Sequence, residues 1–132
     1  MESLVNYKLI TNKICITNNH LNGGNFTVDP QIKRTIAVID ENHSSVTYDL
    51  TIMNTEEHPF PVDIEVSITG IFDISKLSKK SVDDFLEVQT CQILFPQIRT
   101  IVASLTSAAV MTPLLLPIID ARALFAKESK ES

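Results

Sequence analysis

The chain has 132 residues, of which 44% are hydrophobic, 20% charged and 6% aromatic, and its formal net charge is −5. This composition is typical of a folded domain, and a chain of this length buries roughly two thirds of its unfolded surface. The acidic balance disfavours a nucleic-acid partner, because phosphate binding depends on clustered Lys and Arg. We therefore expect one domain over residues 1–132, with a short flexible tail over 126–132.

Two further features bear on the compartment. No run of about 18 apolar residues is present, so direct membrane insertion is not expected, and the N-terminus does not resemble a signal peptide. The cysteines, Cys15 and Cys91, lie far apart and indicate no disulfide framework. A reducing, cytoplasmic setting fits this cysteine usage best.

Four β-strands are predicted before residue 75. Apolar and polar residues alternate most clearly from Val62 to Asp73, a period of two that is typical of a strand with one buried face. Turn-forming residues separate the strands, which favours an antiparallel meander with one apolar and one polar face. The predicted strands run from Tyr7 to Ile16, Ile32 to Asp40, Ser45 to Asn54 and Pro61 to Ile74.

A long helix is predicted to cover the apolar face. Ser81 and Asp84 resemble a capping box, and Pro96 is expected to kink or restart the helix because it lacks an amide hydrogen. The segment from Thr100 to Ala109 has almost no charge on any face. Such a helix is buried on two sides, and because one sheet covers only one side, the pattern implies a second subunit.

The connector after this helix, Met111 to Ile119, is apolar yet contains Pro113 and Pro117. Connectors are usually polar and lie on the surface. This one must cover apolar surface, pack into a partner subunit or present itself to a ligand. A short helix is predicted from Asp120 to Lys130, so the fold class is α+β.

Signals for catalysis are weak. His20, His43 and His58 each fall in a predicted turn, and no pair has metal-ligand spacing. Both cysteines read as small structural residues. We therefore predict no metal site, no cofactor and no enzymatic activity.

Three short motifs together resemble the SecB family of protein-export chaperones. Ile93-Leu94-Phe95-Pro96-Gln97-Ile98-Arg99 is similar to the family's Ile-Leu-Phe-Pro-Tyr-Ala-Arg segment, and Gly70-Ile71-Phe72 matches a Gly-Ile-Phe at the end of the fourth strand. The crossover from Leu114 to Phe125 is similar to the family's Leu-x-Leu-Ala-Pro-Val-x-Phe-Asp-Ala-Leu-Phe. The motifs occur in the family's order, over roughly Tyr7 to Phe125.

The resemblance implies a homotetramer, a dimer of dimers with helices between two sheets. It implies an ATP-independent holdase that binds unfolded or precursor proteins in apolar grooves, as family members do before they hand these proteins to the SecA export motor. In the family, acidic residues of the outer sheet face meet SecA, and Asp49, Asp63 and Glu65 fall on the polar face here. The predicted client groove comprises Ile71, Phe72, Leu94, Phe95, Ile98, Met111, Leu114, Leu115, Leu116, Ile118 and Phe125.

The chain also departs from the family pattern. Gln97 stands where the motif has tyrosine, Ile119 where the crossover has phenylalanine, and the tail after Phe125 is short. A less aromatic groove predicts narrower or weaker client binding. SecB-like chaperones also occur beside toxin–antitoxin pairs, where they protect an antitoxin, and this chain could belong to that class.

Simpler interpretations stay open at this point. The segment Leu114 to Ile119 could be core or subunit contact, and the acidic residues could be ordinary solvated surface. A small α+β oligomer that binds one lipophilic molecule or one folded partner is a third possibility.

Overall fold

The structure is a computed structural model and describes residues 5–21, 26 and 28–109. The predicted connector and C-terminal helix lie outside these residues. The strands are β1 (Tyr7–Asn18), β2 (Gln31–Val38), β3 (His43–Ile52) and β4 (Val62–Asp73). They precede α1 (Lys79–Asp84), a π-helical turn (Phe85–Gln89) and α2 (Thr90–Ala108).

The strands form one antiparallel sheet in the order β1-β4-β3-β2. This confirms the predicted sheet followed by a long helix. The meander, however, includes only β2, β3 and β4, because β1 pairs with β4 and not with β2. The connections over residues 39–42 and 53–61 join neighbouring strands, whereas the longer connection over residues 19–30 lets β1 cross to the other edge.

The sheet has two unlike faces, because side chains alternate along each strand. The inner face, which packs against α2, carries the even-numbered residues of β3 and β4, and these side chains are buried from Ser44 to Ile52 and from Val62 to Phe72. The outer face carries the odd-numbered residues of the same strands, which are only half-buried.

A β-bulge in β1 changes which residues of that strand face inward. Leu9 lies opposite Gly70 and Ile14 lies opposite Val66, and the register shifts between Thr11 and Lys13. The extra residue, Asn12, places its amide on the outer face, where it donates to the hydroxyls of β4. The bulge therefore lets both halves of β1 direct apolar residues to the inner face although the sequence alternation breaks.

The helical segment begins earlier than the sequence predicts. Ser78 is the N-cap of α1, and its carbonyl accepts from the backbone N–H groups of Ser81 and Val82 at 2.9 and 3.2 Å. The capping-box interpretation of Ser81 is therefore wrong, since Ser81 lies inside the helix. Its hydroxyl instead pairs with that of Ser78 at 2.9 Å.

Pro96 neither ends nor restarts α2, which runs through it from Thr90 to Ala108. Both Pro96 and Gln92, the residue whose carbonyl the missing amide would have bonded, lie on the exposed face of the helix. Water can reach that carbonyl, so the missing hydrogen bond costs less there than on the buried face. The buried face of α2 carries Leu94, Ile98, Val102 and Thr106.

Candidate binding surfaces

The structure places several residues of the predicted client groove in the hydrophobic core of this chain. Phe72, Leu94 and Ile98 are fully buried, and Phe95 is 3% exposed. Ile71 lies on the outer face, away from them. The remaining predicted groove residues, Met111, Leu114, Leu115, Leu116, Ile118 and Phe125, lie outside the described residues.

Apolar side chains are exposed instead on the inner face of the two edge strands. On β1, Tyr7 is 52% and Ile14 is 49% exposed; on β2, Ile36 is 38% and Val38 is 80% exposed. Helix α2 packs on the two central strands, so apolar surface remains on each side of it. We call these four residues the border residues.

Apolar residues of the second strand are expected near the groove from the sequence, but Tyr7 and Ile14 of β1 are not, because alternation within one strand does not reveal which strands lie at the edges of the sheet. The pattern of β2 resembles that of a core strand, yet β2 lies at the edge of the sheet. The available signal was the long connection after β1, which allowed β1 to leave β2 and pair with β4. An edge strand that carries exposed apolar residues is a surface on which another chain can pack.

An aromatic cluster connects one border residue to the core. The rings of Tyr7 and Phe72 lie 5.8 Å apart, and Phe72 contacts Phe85 edge-to-face at 5.6 Å and 80°. Tyr7 is half exposed, whereas Phe72 is fully buried and Phe85 nearly so. The cluster therefore runs from the surface at β1 to the start of the helical segment.

Two side chains donate hydrogen bonds to carbonyl groups of the π turn. Arg34, on the inner face of β2, donates from Nη1 to the carbonyl oxygen of Glu87 at 2.9 Å. The Thr90 hydroxyl donates to the carbonyl of Leu86 at 2.7 Å. Burial raises the pKa of Tyr48 well above its ordinary value, and the neighbouring Cys91 thiol adds to the shift. Tyr48 is therefore a neutral phenol at physiological pH.

The three acidic residues predicted to meet a partner all lie on the outer face, and each has a complementary group nearby. Glu65 forms an ion pair with Lys13 at 2.7 Å, and this pairing raises the pKa of Lys13. Asp63 accepts from the side-chain amide of Asn19 at 2.9 Å and from the Asn54 N–H at 2.8 Å. Asp49 lies directly opposite a lysine of β2 in the strand register. The charge of Glu65 is thus balanced by Lys13, whereas the donors to Asp63 are neutral amides.

Hydroxyl groups join the strands across the same outer face. Asn12 donates from Nδ2 to Thr69 at 2.7 Å, and the Thr69 and Thr47 hydroxyls are 2.7 Å apart. Ser67 accepts a second, longer bond from Asn12 at 3.2 Å. This network connects the strands through polar side chains and makes the outer face rich in hydroxyl groups.

The histidines and cysteines do not come together. His43 lies 2.9 Å from Asp40 and His58 lies 3.7 Å from Asp29, and both pairs are on the surface. The two cysteines are free thiols. Within residues 5–21, 26 and 28–109, no group of three or more His, Cys, Asp or Glu is placed to hold a metal ion. Over the same residues, no helix is both long and apolar enough to cross a membrane.

The family model described as preprotein translocase subunit SecB matches residues 17–132 of the chain. The chain belongs to the SecB family. This confirms the resemblance that the three sequence motifs carried.

One relative named after this family agrees with the assignment, and a second relative is uncharacterized. A protein-export protein SecB of Ehrlichia ruminantium is 32% identical over 103 residues, which are 69% of this chain and 59% of the relative. An uncharacterized protein of Methanocaldococcus jannaschii, MJ0357, is 32% identical over 73 residues, or 54% of this chain and 47% of the relative. The chain thus spans about half the length of the curated relatives it matches.

A solved structure shows the same fold as this SecB-family chain. It is the Mycobacterium tuberculosis SecB-like chaperone Rv1957 in complex with a ChAD peptide from the HigA1 antitoxin Rv1956. The TM-score is 0.72 at 13% sequence identity, over 88% of this chain and 91% of the other. The shared α+β architecture therefore persists at low sequence identity.

Proposed function

We propose that this SecB-family protein is an ATP-independent chaperone that holds unfolded or precursor proteins by apolar contact, in the cytoplasm and without enzymatic activity. The observation that carries the proposal is the set of border residues on the inner face of the sheet. Unfolded chains expose apolar side chains that folded proteins bury, so several separate apolar surfaces bind them by avidity. The family assignment supports the same function.

The proposal extends to a homotetramer, a dimer of dimers. The exposed residues of α2 include Gln92, Pro96, Gln97, Thr100 and Ser104, all uncharged, and the one charged residue of the helix, Arg99, is half-buried beside them. A helix that faced only water would normally carry charged residues there. Uncharged side chains can be buried against a second helix at lower cost than charged ones, so a second copy of this chain fits this side of α2.

The partner that receives the client is a separate question. The relatives named as protein-export proteins favour delivery to the SecA motor, and the outer face offers Asp49, Asp63 and Glu65 for such docking. A partner would have to compete with Lys13 for Glu65 and with the two amide donors for Asp63. This competition favours weak docking.

The second candidate is a chaperone dedicated to an antitoxin. The SecB-like chaperone of similar fold binds a peptide from an antitoxin, and the partial balance of the acidic face here removes one reason to expect SecA. A dedicated chaperone binds one segment tightly, whereas a general holdase binds many unfolded chains weakly.

The decisive experiment measures aggregation of a reduced, unfolded client at stoichiometric chaperone, together with the native mass. We expect suppression of aggregation by a tetramer, without nucleotide. No suppression at a monomeric or dimeric mass contradicts the proposal and favours an oligomer that binds a small molecule or a folded partner. Suppression for a single antitoxin and no other client supports the dedicated role.

A further inference from the structure

In the first part of the helical segment, the buried residues occur as pairs of sequence neighbours. The pair Leu94–Phe95 is preceded four residues earlier by the buried pair Thr90–Cys91. The next buried pair, Phe85–Leu86, lies five residues earlier and not four. The π turn provides the extra residue, because the N–H of Thr90 donates to the carbonyl of Phe85. A turn with this i→i+5 bond is rare and often lies at a functional site.

Two side chains supply hydrogen bonds to the carbonyls of this turn. The Thr90 hydroxyl donates to Leu86, and the Arg34 guanidinium donates to Glu87, at 2.7 and 2.9 Å. Carbonyl groups displaced from the regular helical pattern need such donors. Arg34 reaches the turn from the edge strand β2, so the turn is fastened to the sheet.

The same residues fit a second register. In an uninterrupted α-helix, the residues four before Thr90 and Cys91 are Leu86 and Glu87, so that pair would face the sheet. Phe85 would then turn away from Phe72. The carboxylate of Glu87 would turn toward the Arg34 guanidinium, which already contacts the backbone of residue 87. Arg34 therefore has a partner in both registers.

We propose that the π turn is a register switch. When its i→i+5 bond is replaced by regular i→i+4 bonds, the preceding residues of the helical segment rotate, and Glu87 takes the place of Phe85 on the sheet face. Arg34 moves its hydrogen bond from the carbonyl of Glu87 to its carboxylate. The exchange opens a slot beside Phe72 that takes an aromatic or large apolar side chain of an unfolded client. The client part rests on the proposed chaperone function.

The position of the slot supports this use. Phe85 contacts Phe72 edge-to-face, and Tyr7 contacts Phe72 at 5.8 Å while half of its own surface is exposed. Removal of Phe85 would thus leave an apolar site that is continuous with the border residues of β1. A phenylalanine from a client chain has the shape that the departing ring had.

The test is fluorine NMR of protein labelled with 4-fluorophenylalanine, with Phe85→Leu assigning one of the six phenylalanine signals. Thr90→Val removes a donor to the π turn, and Glu87→Leu places an apolar residue where the α register needs one. We expect each variant to increase the intensity of a second Phe85 signal at least severalfold relative to the unsubstituted protein. Thr106→Val is the matched control, since its buried hydroxyl donates to Val102 in the regular part of α2.

A single Phe85 signal in both Thr90→Val and Glu87→Leu overturns the switch, as does an equal response in Thr106→Val. Glu87→Leu changes an exposed position, so folding is retained if Thr90→Val proves unstable. Client binding is tested separately with an unfolded peptide that carries one phenylalanine and with its Phe→Ser version. The phenylalanine peptide should raise the second signal. If the phenylalanine peptide binds without increasing the second Phe85 signal, the slot is contradicted. If neither peptide binds, both the chaperone function and the slot are contradicted. The register switch is then still tested by the Thr90→Val and Glu87→Leu variants.

Discussion

Gly70 lies directly under the ring of Phe72, on the inner face of β4. A Cβ atom at Gly70 would lie 2.6 Å from Cε2 of Phe72 and 3.3 Å from Cδ2 of Leu94. The missing side chain lets Phe72 fold back over its own strand and meet Phe85. A short sequence motif, Gly70-Ile71-Phe72, thereby positions the aromatic cluster between sheet and helix.

We expect Gly70→Ala to lower the free energy of unfolding by about 1–3 kcal/mol, because an added methyl overpacks this site. Urea denaturation of the purified protein measures the change. Phe72→Leu in the Gly70→Ala protein should recover part of the loss, since the shorter side chain clears the methyl. A strictly additive double variant would contradict the contact.

Val38→Asp should weaken binding of an unfolded client roughly tenfold, because it removes an exposed apolar contact worth about 1.5 kcal/mol. Ala37→Asp is the matched control, since Ala37 is exposed on the outer face of the same strand. The assay is titration of reduced, carboxymethylated α-lactalbumin, a permanently unfolded chain. Equal loss in both variants would mean that charge on β2, and not the inner face, determines binding.

Ser104→Arg should lower the native mass of the oligomer, because a charge of this size cannot be buried between helices without a partner. Asn42→Arg, in the exposed turn between β2 and β3, provides the control, since it adds the same charge and keeps the backbone bonds of residue 42. Multi-angle light scattering of both variants gives the masses, and circular dichroism confirms that each is folded. An unchanged mass for Ser104→Arg would place the subunit contact elsewhere.

Asp63→Ala should destabilise the protein by about 1–3 kcal/mol, since it leaves the donors of Asn19 and Asn54 without their acceptor. Asp63→Asn keeps an acceptor oxygen and should cost clearly less. Thermal unfolding of the two variants separates the hydrogen bonds from the charge. If Asp63→Asn costs as much as Asp63→Ala, charge dominates at this site.

Acid should remove a small stabilising effect of Asp73. Hydrogen bonds from the Ser75 hydroxyl and N–H, at 2.6 and 3.0 Å, hold the pKa of Asp73 below its ordinary value of 3.8. A carboxyl group with a lowered folded-state pKa stabilises the protein above its unfolded pKa, and this effect is lost as the pH falls through the folded pKa. Asp73→Asn should therefore lower the Tm at about pH 6 and have a smaller effect at about pH 3. A difference that does not shrink on acidification would exclude this linkage.

Over most of the described chain, the secondary structure could be predicted from the sequence. Strict alternation predicted β3 and β4 because a half-buried strand must repeat every two residues. The apolar stripe of α2 predicted the helix, and Leu94, Ile98 and Val102 do face the sheet. The motifs around Gly70 and Pro96 carried the family resemblance, which the family match confirmed.

The pairing of strands that are distant in sequence could not be predicted from local patterns, because it depends on how the strands pack in the folded protein. Only the tertiary structure put β1 beside β4 and left β2 at an edge, and this decided that Tyr7 and Val38 are exposed while Phe72 and Leu94 are buried. Only the tertiary structure showed the π turn, since the need to bury Phe85 and keep Glu87 outside arises from the sheet beneath the helix. Sequence alone determined the four strands, the long helix and the family; three-dimensional packing decided which apolar residues remain available for binding.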